Sequence, residues 1–170
     1  MNRPNDILLP ANPYFIAFSL ASAFFLHLLP YEKRIIVPDF IAIVLLFWNM
    51  HQPHKVGIGI AFMLGLLIDV HDASLLGEHA LAYTLLSYSA IMMQRRVLCL
   101  SLGQQIFVVM PLLVVAQAVP FIIQLIAGSA FPGWGRLLDS LASALLWAPS
   151  SLLLQLPQKR AASLDDTRSI

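Results

Sequence analysis

The residues best suited to chemistry lie close together in residues 68–79, which read IDVHDASLLGEH. This stretch follows a glycine-containing apolar run and carries carboxylates and imidazoles, the oxygen and nitrogen donors that metal ions bind in proteins. Its titratable side chains are Asp69, His71, Asp72, Glu78 and His79. The stretch could be a metal site, a catalytic site, or the polar end of a structure buried in lipid.

The spacing of these residues argues against metal binding and catalysis. The HExxH pattern, which places two imidazoles one helical turn apart, is absent, and aspartates are common at helix ends. The sequence has no nucleophile-elbow, phosphate-loop or paired-cysteine motif, and neither Ser74 nor Ser101 has a catalytic spacing to a histidine. We therefore predict no metal, no cofactor and no enzyme activity. A membrane metalloenzyme that uses this acidic stretch is the weakest of the alternatives.

The composition is that of a membrane protein. Of the 170 residues, 59% are hydrophobic and 11% are charged, whereas about 25% of the residues in a soluble domain are charged. The mean hydropathy is +0.79. The net charge of +1 gives no indication of nucleic-acid binding, and a single cysteine, Cys99, cannot form an intrachain disulfide. The expected surroundings are a lipid bilayer, with no nucleic acid as a partner.

Charged residues, prolines and glycines divide the chain into six apolar segments, at residues 14–29, 35–50, 56–70, 80–93, 104–127 and 137–156. The third and fourth segments are shorter than the ~20 residues that usually cross a bilayer, so they could be re-entrant, but we interpret them as spans. The prediction is an all-α integral membrane bundle of about six transmembrane helices over residues 14–156. A cytoplasmic tail, residues 1–13, precedes it, and a flexible cytoplasmic tail, residues 157–170, follows it.

The basic residues predict the orientation of this bundle. If the N-terminus is cytoplasmic, the inner side holds seven of them, namely Arg3, Lys55, Arg95, Arg96, Lys159, Arg160 and Arg168. The outer side then holds three, namely Lys33, Arg34 and Arg136. This excess predicts that both termini are cytoplasmic and that residues 68–79 lie on the outer side. Trp48 and Trp134 are then expected near opposite membrane interfaces.

Small residues recur every four positions in the third segment. Gly57, Ala61 and Gly65 form a stripe along one helix face, where a second helix can approach closely, and Asp69 continues the same spacing. An acid at that depth should be paired, hydrogen-bonded or hydrated. We predict helix packing and partner binding along this stripe.

Polar side chains within the apolar segments form a further pattern. They are Tyr83, Ser87, Gln117, Gln124, Ser143 and Ser150. Such groups favour hydrogen bonds between membrane helices, although a small-molecule pocket lined by them stays possible. His27, near the outer end of the first segment, is expected to bond to a neighbour or to water.

Residues 37–89 read VPDFIAIVLLFWNMHQPHKVGIGIAFMLGLLIDVHDASLLGEHALAYTLLSYS. This stretch resembles the middle of MreD, a rod-shape-determining membrane protein family of bacterial cell elongation. Four features carry the resemblance: Pro38 and Asp39 before the second segment, Pro53, His54 and Lys55 in the inner loop, the glycine stripe that ends at Asp69, and Leu76 and Gly77 before the fourth segment. Residues 103–156 agree mainly in hydropathy and length.

The resemblance implies a noncatalytic scaffold in the bacterial inner membrane that supports rod shape and lateral peptidoglycan synthesis. It implies direct binding to MreC and, through the elongation complex, a link to MreB and the peptidoglycan synthases. It also implies a fold similar to the substrate-binding subunits of energy-coupling-factor transporters, so the small-molecule-binding subunit of a membrane transporter is the alternative. Because Asp69 ends the packing face close to the outer surface, where a periplasmic partner's span would emerge, we expect Asp69→Asn to accumulate normally and to weaken, without abolishing, the association with MreC.

Overall fold

Six helices make up the regular structure of the protein in a computed structural model that describes residues 12–29, 38–128 and 135–165. They are α1 (Pro13–His27), α2 (Phe40–His51), α3 (Pro53–His71), α4 (Glu78–Leu98), α5 (Leu102–Ile126) and α6 (Gly135–Asp165). Each helix coincides with one predicted apolar segment, so the all-α prediction is confirmed. The predictions for Arg3, Lys33, Arg34, Trp134 and Arg168 lie outside the described residues.

The short helix α2 lies at the centre of the bundle. It contacts α1, α3, α4 and α6, and Ile41, Leu45 and Leu46 on it have no exposed surface. The sequence FIAIVLLFWNMH is apolar around nearly its whole circumference. A helix of this kind is stable only when other helices cover every face.

The indole of Trp48, which the sequence predicts near a membrane interface, lies inside the bundle and not on its surface. Trp48 is fully buried, and its Nε1 donates a hydrogen bond of 2.8 Å to Ser19 Oγ on α1. The rings of Phe15 and Phe47 meet it edge-on, with centroids at 5.9 and 5.1 Å. The order of residues along α2 indicates only how deep the indole lies, whereas its burial depends on how α1 packs against α2.

The closest approach of two helices is that of α3 and α4. A Cβ atom on Gly65 would lie 2.4 Å from the Ala80 Cα atom, far inside van der Waals contact. Ala61, one turn before Gly65, is also fully buried. Small side chains at such a contact allow the two backbones to approach closely, as the stripe predicts.

Gly57 differs from the other members of the stripe. Its φ of 43° and ψ of 177° interrupt α3 after the first turn, and a Cβ atom there would meet no described atom within 4 Å. A positive φ favours glycine because glycine has no Cβ atom. Gly57 therefore redirects the chain, and Gly65 and Asp69 are the stripe residues that the structure places against α4.

The surface of the bundle is apolar along its sides. Two helical stretches, Pro53–His71 and Gly103–Ile126, are long and apolar enough to cross a membrane. Phe18, Met63 and Phe107 are among the large apolar side chains that are mostly exposed. Exposed apolar surface on this scale indicates apolar surroundings.

The helix α6 continues further than the sequence predicts. Its backbone is helical to Asp165, so residues 157–165 are helical where we expected a flexible tail. After Pro157, six of the eight residues of this stretch are Gln, Lys, Arg, Ala or Leu, which have high helix propensity. Adding residues to a helix that already exists costs much less than starting one, which accounts for the extension.

Replacing Gly65 by alanine should destabilise the protein by about 1 to 3 kcal/mol, because the backbone of Ala80 cannot move aside for the new methyl group. Thermal unfolding of the purified protein in detergent would measure this. The matched control is Gly59→Ala in the same helix, where the added Cβ atom would meet open space. Equal melting temperatures for the two variants would contradict the close contact.

Candidate functional site

Many of the polar residues singled out in the sequence, including four carboxylates, gather at one end of the bundle. We call this the carboxylate end and define it by Asp39, Asp69, Asp72 and Glu78. The start of α2, the end of α3 and the start of α4 supply these four residues. Three different helix ends therefore contribute acidic side chains to one region.

Asp69 is the most fully bonded of the four. It is 1% exposed, and its Oδ1 atom accepts hydrogen bonds from the His79 backbone N–H at 2.8 Å, His79 Nδ1 at 2.9 Å and Ser74 Oγ at 3.1 Å. Its Oδ2 atom accepts from the backbone N–H groups of Gly77 at 2.8 Å and Ala80 at 3.4 Å. The carboxylate on α3 thus bonds the N–H groups at the start of α4, which lack partners within that helix.

The sequence of the turn explains why α4 needs this outside partner. Gly77 occupies the N-cap position of α4 with a φ of 101°, a conformation that favours glycine. Glycine has no side chain to accept the first N–H groups of the helix, so α4 has no cap of its own. A negative charge at a helix N-terminus is also favourable to the helix dipole. Asp69 therefore acts as the cap of a helix to which it does not belong.

Asp39 connects α2 to three other helices. Its Oδ1 atom accepts from the backbone N–H of Ala42 at 2.9 Å and so caps α2. The Tyr83 hydroxyl of α4 donates to the same carboxylate, at 2.9 Å from Oδ2, and Gln117 Nε2 of α5 donates to Oδ2 at 3.3 Å. The Asp39 backbone N–H donates to Ser143 Oγ of α6 at 2.8 Å.

Glu78 and Asp72 extend the connections to the remaining helices. Gln124 Nε2 of α5 donates to Glu78 Oε1 at the start of α4, and Glu78 is 1% exposed. His27 Nε2 at the end of α1 lies 3.4 Å from Asp72 Oδ2 in the turn after α3. The carboxylate end therefore holds hydrogen bonds to all six helices.

These contacts confirm, for five of the six polar side chains named in the sequence analysis, the prediction that such groups join helices; Ser150 is the sixth and makes no such contact among the described residues. Tyr83, Gln117, Gln124 and Ser143 each bond a residue of another helix at the carboxylate end, and Ser87 does so deeper in the bundle. The partner of Ser87 is Asn49, which sequence reasoning missed. Asn49 Nδ2 donates to Ser87 Oγ at 2.9 Å and to the Leu45 carbonyl at 2.8 Å. The available signal was a lone amide in an otherwise apolar helix.

The stripe predicted to bind partners and the motifs that carry the family resemblance do not form one site. Pro38, Asp39, Leu76 and Gly77 lie at the carboxylate end with Asp69. Pro53, His54 and Lys55 form the first turn of α3, at its opposite end, where Pro53 occupies a position that favours proline. Gly65 and Asp69 are buried against α4. A partner helix would therefore have to bind other surfaces, and an effect of Asp69 on it would be indirect.

The geometry of the carboxylate end is suited to holding helices together. Among the described residues, no group of three or more His, Cys, Asp or Glu side chains is arranged to hold a metal ion. The hydroxyl of Ser74 donates to Asp69, and Ser101 begins α5, with its backbone N–H donating to Gln104 Oε1 at 3.2 Å. Ser74 and Ser101 thus both make local structural hydrogen bonds.

The geometry changes the outcome that we expect for Asp69→Asn. Both carboxylate oxygens accept backbone N–H groups, and the NH₂ group of asparagine would face one of these donors. Leaving a buried donor without an acceptor costs about 1 to 3 kcal/mol, so the melting temperature should fall and the protein should accumulate poorly. Asp72→Asn is the control, because Asp72 is 39% exposed and should change stability little. Equal melting temperatures for the two variants would contradict the capping role of Asp69.

The comparison with known proteins agrees with the resemblance read from the sequence. Residues 10–156 match the family described as rod shape-determining protein MreD. The rod shape-determining protein MreD of Haemophilus influenzae is 34% identical over 138 residues, which cover 78% of this chain and 83% of that protein. No solved structure matches the chain. With the family match covering nearly the whole helical region, from α1 well into α6, this chain belongs to the MreD family of rod shape-determining proteins.

Proposed function

We propose that this protein is a noncatalytic scaffold of the bacterial cell-elongation complex, which supports rod shape and lateral peptidoglycan synthesis from the inner membrane. The observation that carries the proposal is the family match over residues 10–156. Family membership supports a rod-shape-determining role, and together with two long apolar helices it indicates a membrane protein.

The bonding of the carboxylate end supports a scaffold over an enzyme. Asp69 and Asp39 accept hydrogen bonds from the residues that position neighbouring helices. Carboxylates used in this way stabilise one arrangement of helices, and they are poorly placed to exchange protons with a substrate. A rigid bundle with apolar sides is suited to holding other membrane proteins in fixed positions.

The partner in this proposal is MreC, bound directly, with MreB and the peptidoglycan synthases joined through the complex. The stripe on α3 is occupied by α4, so the MreC contact belongs on exposed apolar surface. Exposed aromatic and aliphatic side chains on α1, such as Phe18 and Phe25, offer such a surface.

The proposed topology has six membrane crossings and both termini in the cytoplasm. The distribution of charge along the helices supports it. Lys55 lies at the start of α3, and Arg95 and Arg96 lie at the end of α4, whereas Asp69 and Glu78 lie at the opposite ends of the same two helices. Basic residues concentrate on the cytoplasmic side of membrane proteins, and this tendency supports a periplasmic position for the carboxylate end.

Fusions to alkaline phosphatase, which is active only in the periplasm, would test this topology. A fusion after Arg160 should be inactive, and an insertion after Leu75, in the turn before α4, should be active. Matched expression of the two fusions is the necessary control. Strong activity of the fusion after Arg160 would contradict a cytoplasmic C-terminus.

Depletion in a rod-shaped host would test the proposed role. Cells should become round and wall synthesis should disperse, while nutrient uptake continues. MreC should copurify with the tagged protein from detergent extracts, and a subunit that energises transport should not. Normal rods after verified depletion, together with loss of uptake of one nutrient, would instead favour the small-molecule-binding transporter subunit.

A further inference from the structure

A groove of about 400 Å³ runs between α1 and α3. It exists because α1 packs against α2 while α3 packs chiefly against α4, which leaves the two helices apart. On the α3 side Ile60, Leu64 and Leu67 line the groove, and on the α1 side the lining extends from Pro13 to Phe24. Among the described residues that line it, Lys55 alone is charged.

The dimensions of the groove fit a hydrocarbon chain better than a protein helix. From Pro13 to Phe24 the helix α1 rises about 17 Å, close to the ~15 Å of one leaflet of the hydrocarbon core. Dividing the volume of the groove by this length gives a cross-section on the order of a few tens of Å². A helix with side chains is about 10 to 12 Å across, which corresponds to a cross-section of about 80 to 110 Å². Beyond the groove, His27 and Asp72 join α1 to the end of α3.

The position of Lys55 depends on the break at Gly57. On an uninterrupted helix Lys55 would lie about 140° around the axis from Ile60, away from the apolar lining. The positive φ of Gly57 redirects the first turn of α3, which accounts for Lys55 and Ile60 lining the same groove. Lys55, at the start of α3, therefore lines one end of a groove whose other described lining residues are uncharged.

We propose that this groove binds one anionic phospholipid, with an acyl chain between α1 and α3 and its head group at Lys55. Lys55 is exposed, and the acidic residues of the carboxylate end lie at the opposite end of α3. The positive charge of Lys55 at this end of the groove therefore favours an anionic head group. A lysine near an anionic membrane surface contributes about 1 kcal/mol of attraction, which is roughly a fivefold change in affinity. The proposal requires only that the helices lie in a bilayer and does not depend on the scaffold role.

Native mass spectrometry of the full chain in detergent would test the proposal. The protein is mixed with phosphatidylglycerol or with phosphatidylcholine of the same acyl composition, and the bound lipids are counted. The unmodified chain should retain one phosphatidylglycerol with roughly fivefold higher affinity than phosphatidylcholine. Lys55→Gln should remove this preference.

Two matched pairs of variants separate the groove from general attraction. Gly57→Ala should lose the preference as Lys55→Gln does, because alanine resists a φ of 43°, while Gly59→Ala should keep it. Ala17→Phe should fill the groove and lower the affinity for both lipids, whereas Val115→Phe on the exposed face of α5 should not.

The control for nonspecific charge is Arg95→Gln, an exposed basic residue of α4 outside the groove. Equal retention of the two lipids by the unmodified chain would overturn the proposal. An equal loss of preference in Arg95→Gln and Lys55→Gln would overturn it as well. Either result would leave the depletion phenotype, and with it the proposed role in cell shape, untouched.

Discussion

The bond between the Asp69 carboxylate and the start of α4 is the interaction on which the arrangement of the bundle depends. Gly77 turns the chain but cannot cap the helix that follows, so the acceptor has to come from α3. Once Asp69 holds the first turn of α4, the two backbones meet at Gly65 and Ala80. The side chains of α4 are then directed toward α2 and α5, where they bond Asp39 and Gln124.

Polar contacts have a special role in a protein with so much exposed apolar surface. In lipid, the hydrophobic effect does not drive one apolar helix against another, so close packing and hydrogen bonds select the arrangement. A buried carboxylate is costly unless it is hydrogen-bonded, which makes alternative arrangements unfavourable. The carboxylate end therefore specifies which helices meet, and the apolar sides of the bundle stay exposed.

The sequence predicts those features that depend on local pattern. The number of helices follows from the apolar segments, and the roles of Gln117, Gln124 and Ser143 follow from polar groups placed among apolar ones. Other features depend on how distant segments meet. The burial of Trp48 depends on how α1 packs against α2. The N–H groups that donate to Asp69 come from the turn before α4 and the first residues of that helix, and the spacing of residues in the sequence does not predict the conformation of this turn. Gly57 fits the four-residue stripe, yet its φ removes it from the contact.

Hydrogen–deuterium exchange of the backbone N–H groups at the start of α4 tests the central claim most directly. Our account predicts that Asp69→Asn exchanges faster than the unmodified protein at Gly77, His79 and Ala80, whose N–H groups bond the carboxylate. The end of α4, near Arg95, should change much less under conditions where both proteins stay folded. Unchanged exchange at Gly77 and His79 in the variant would contradict the claim that Asp69 caps α4.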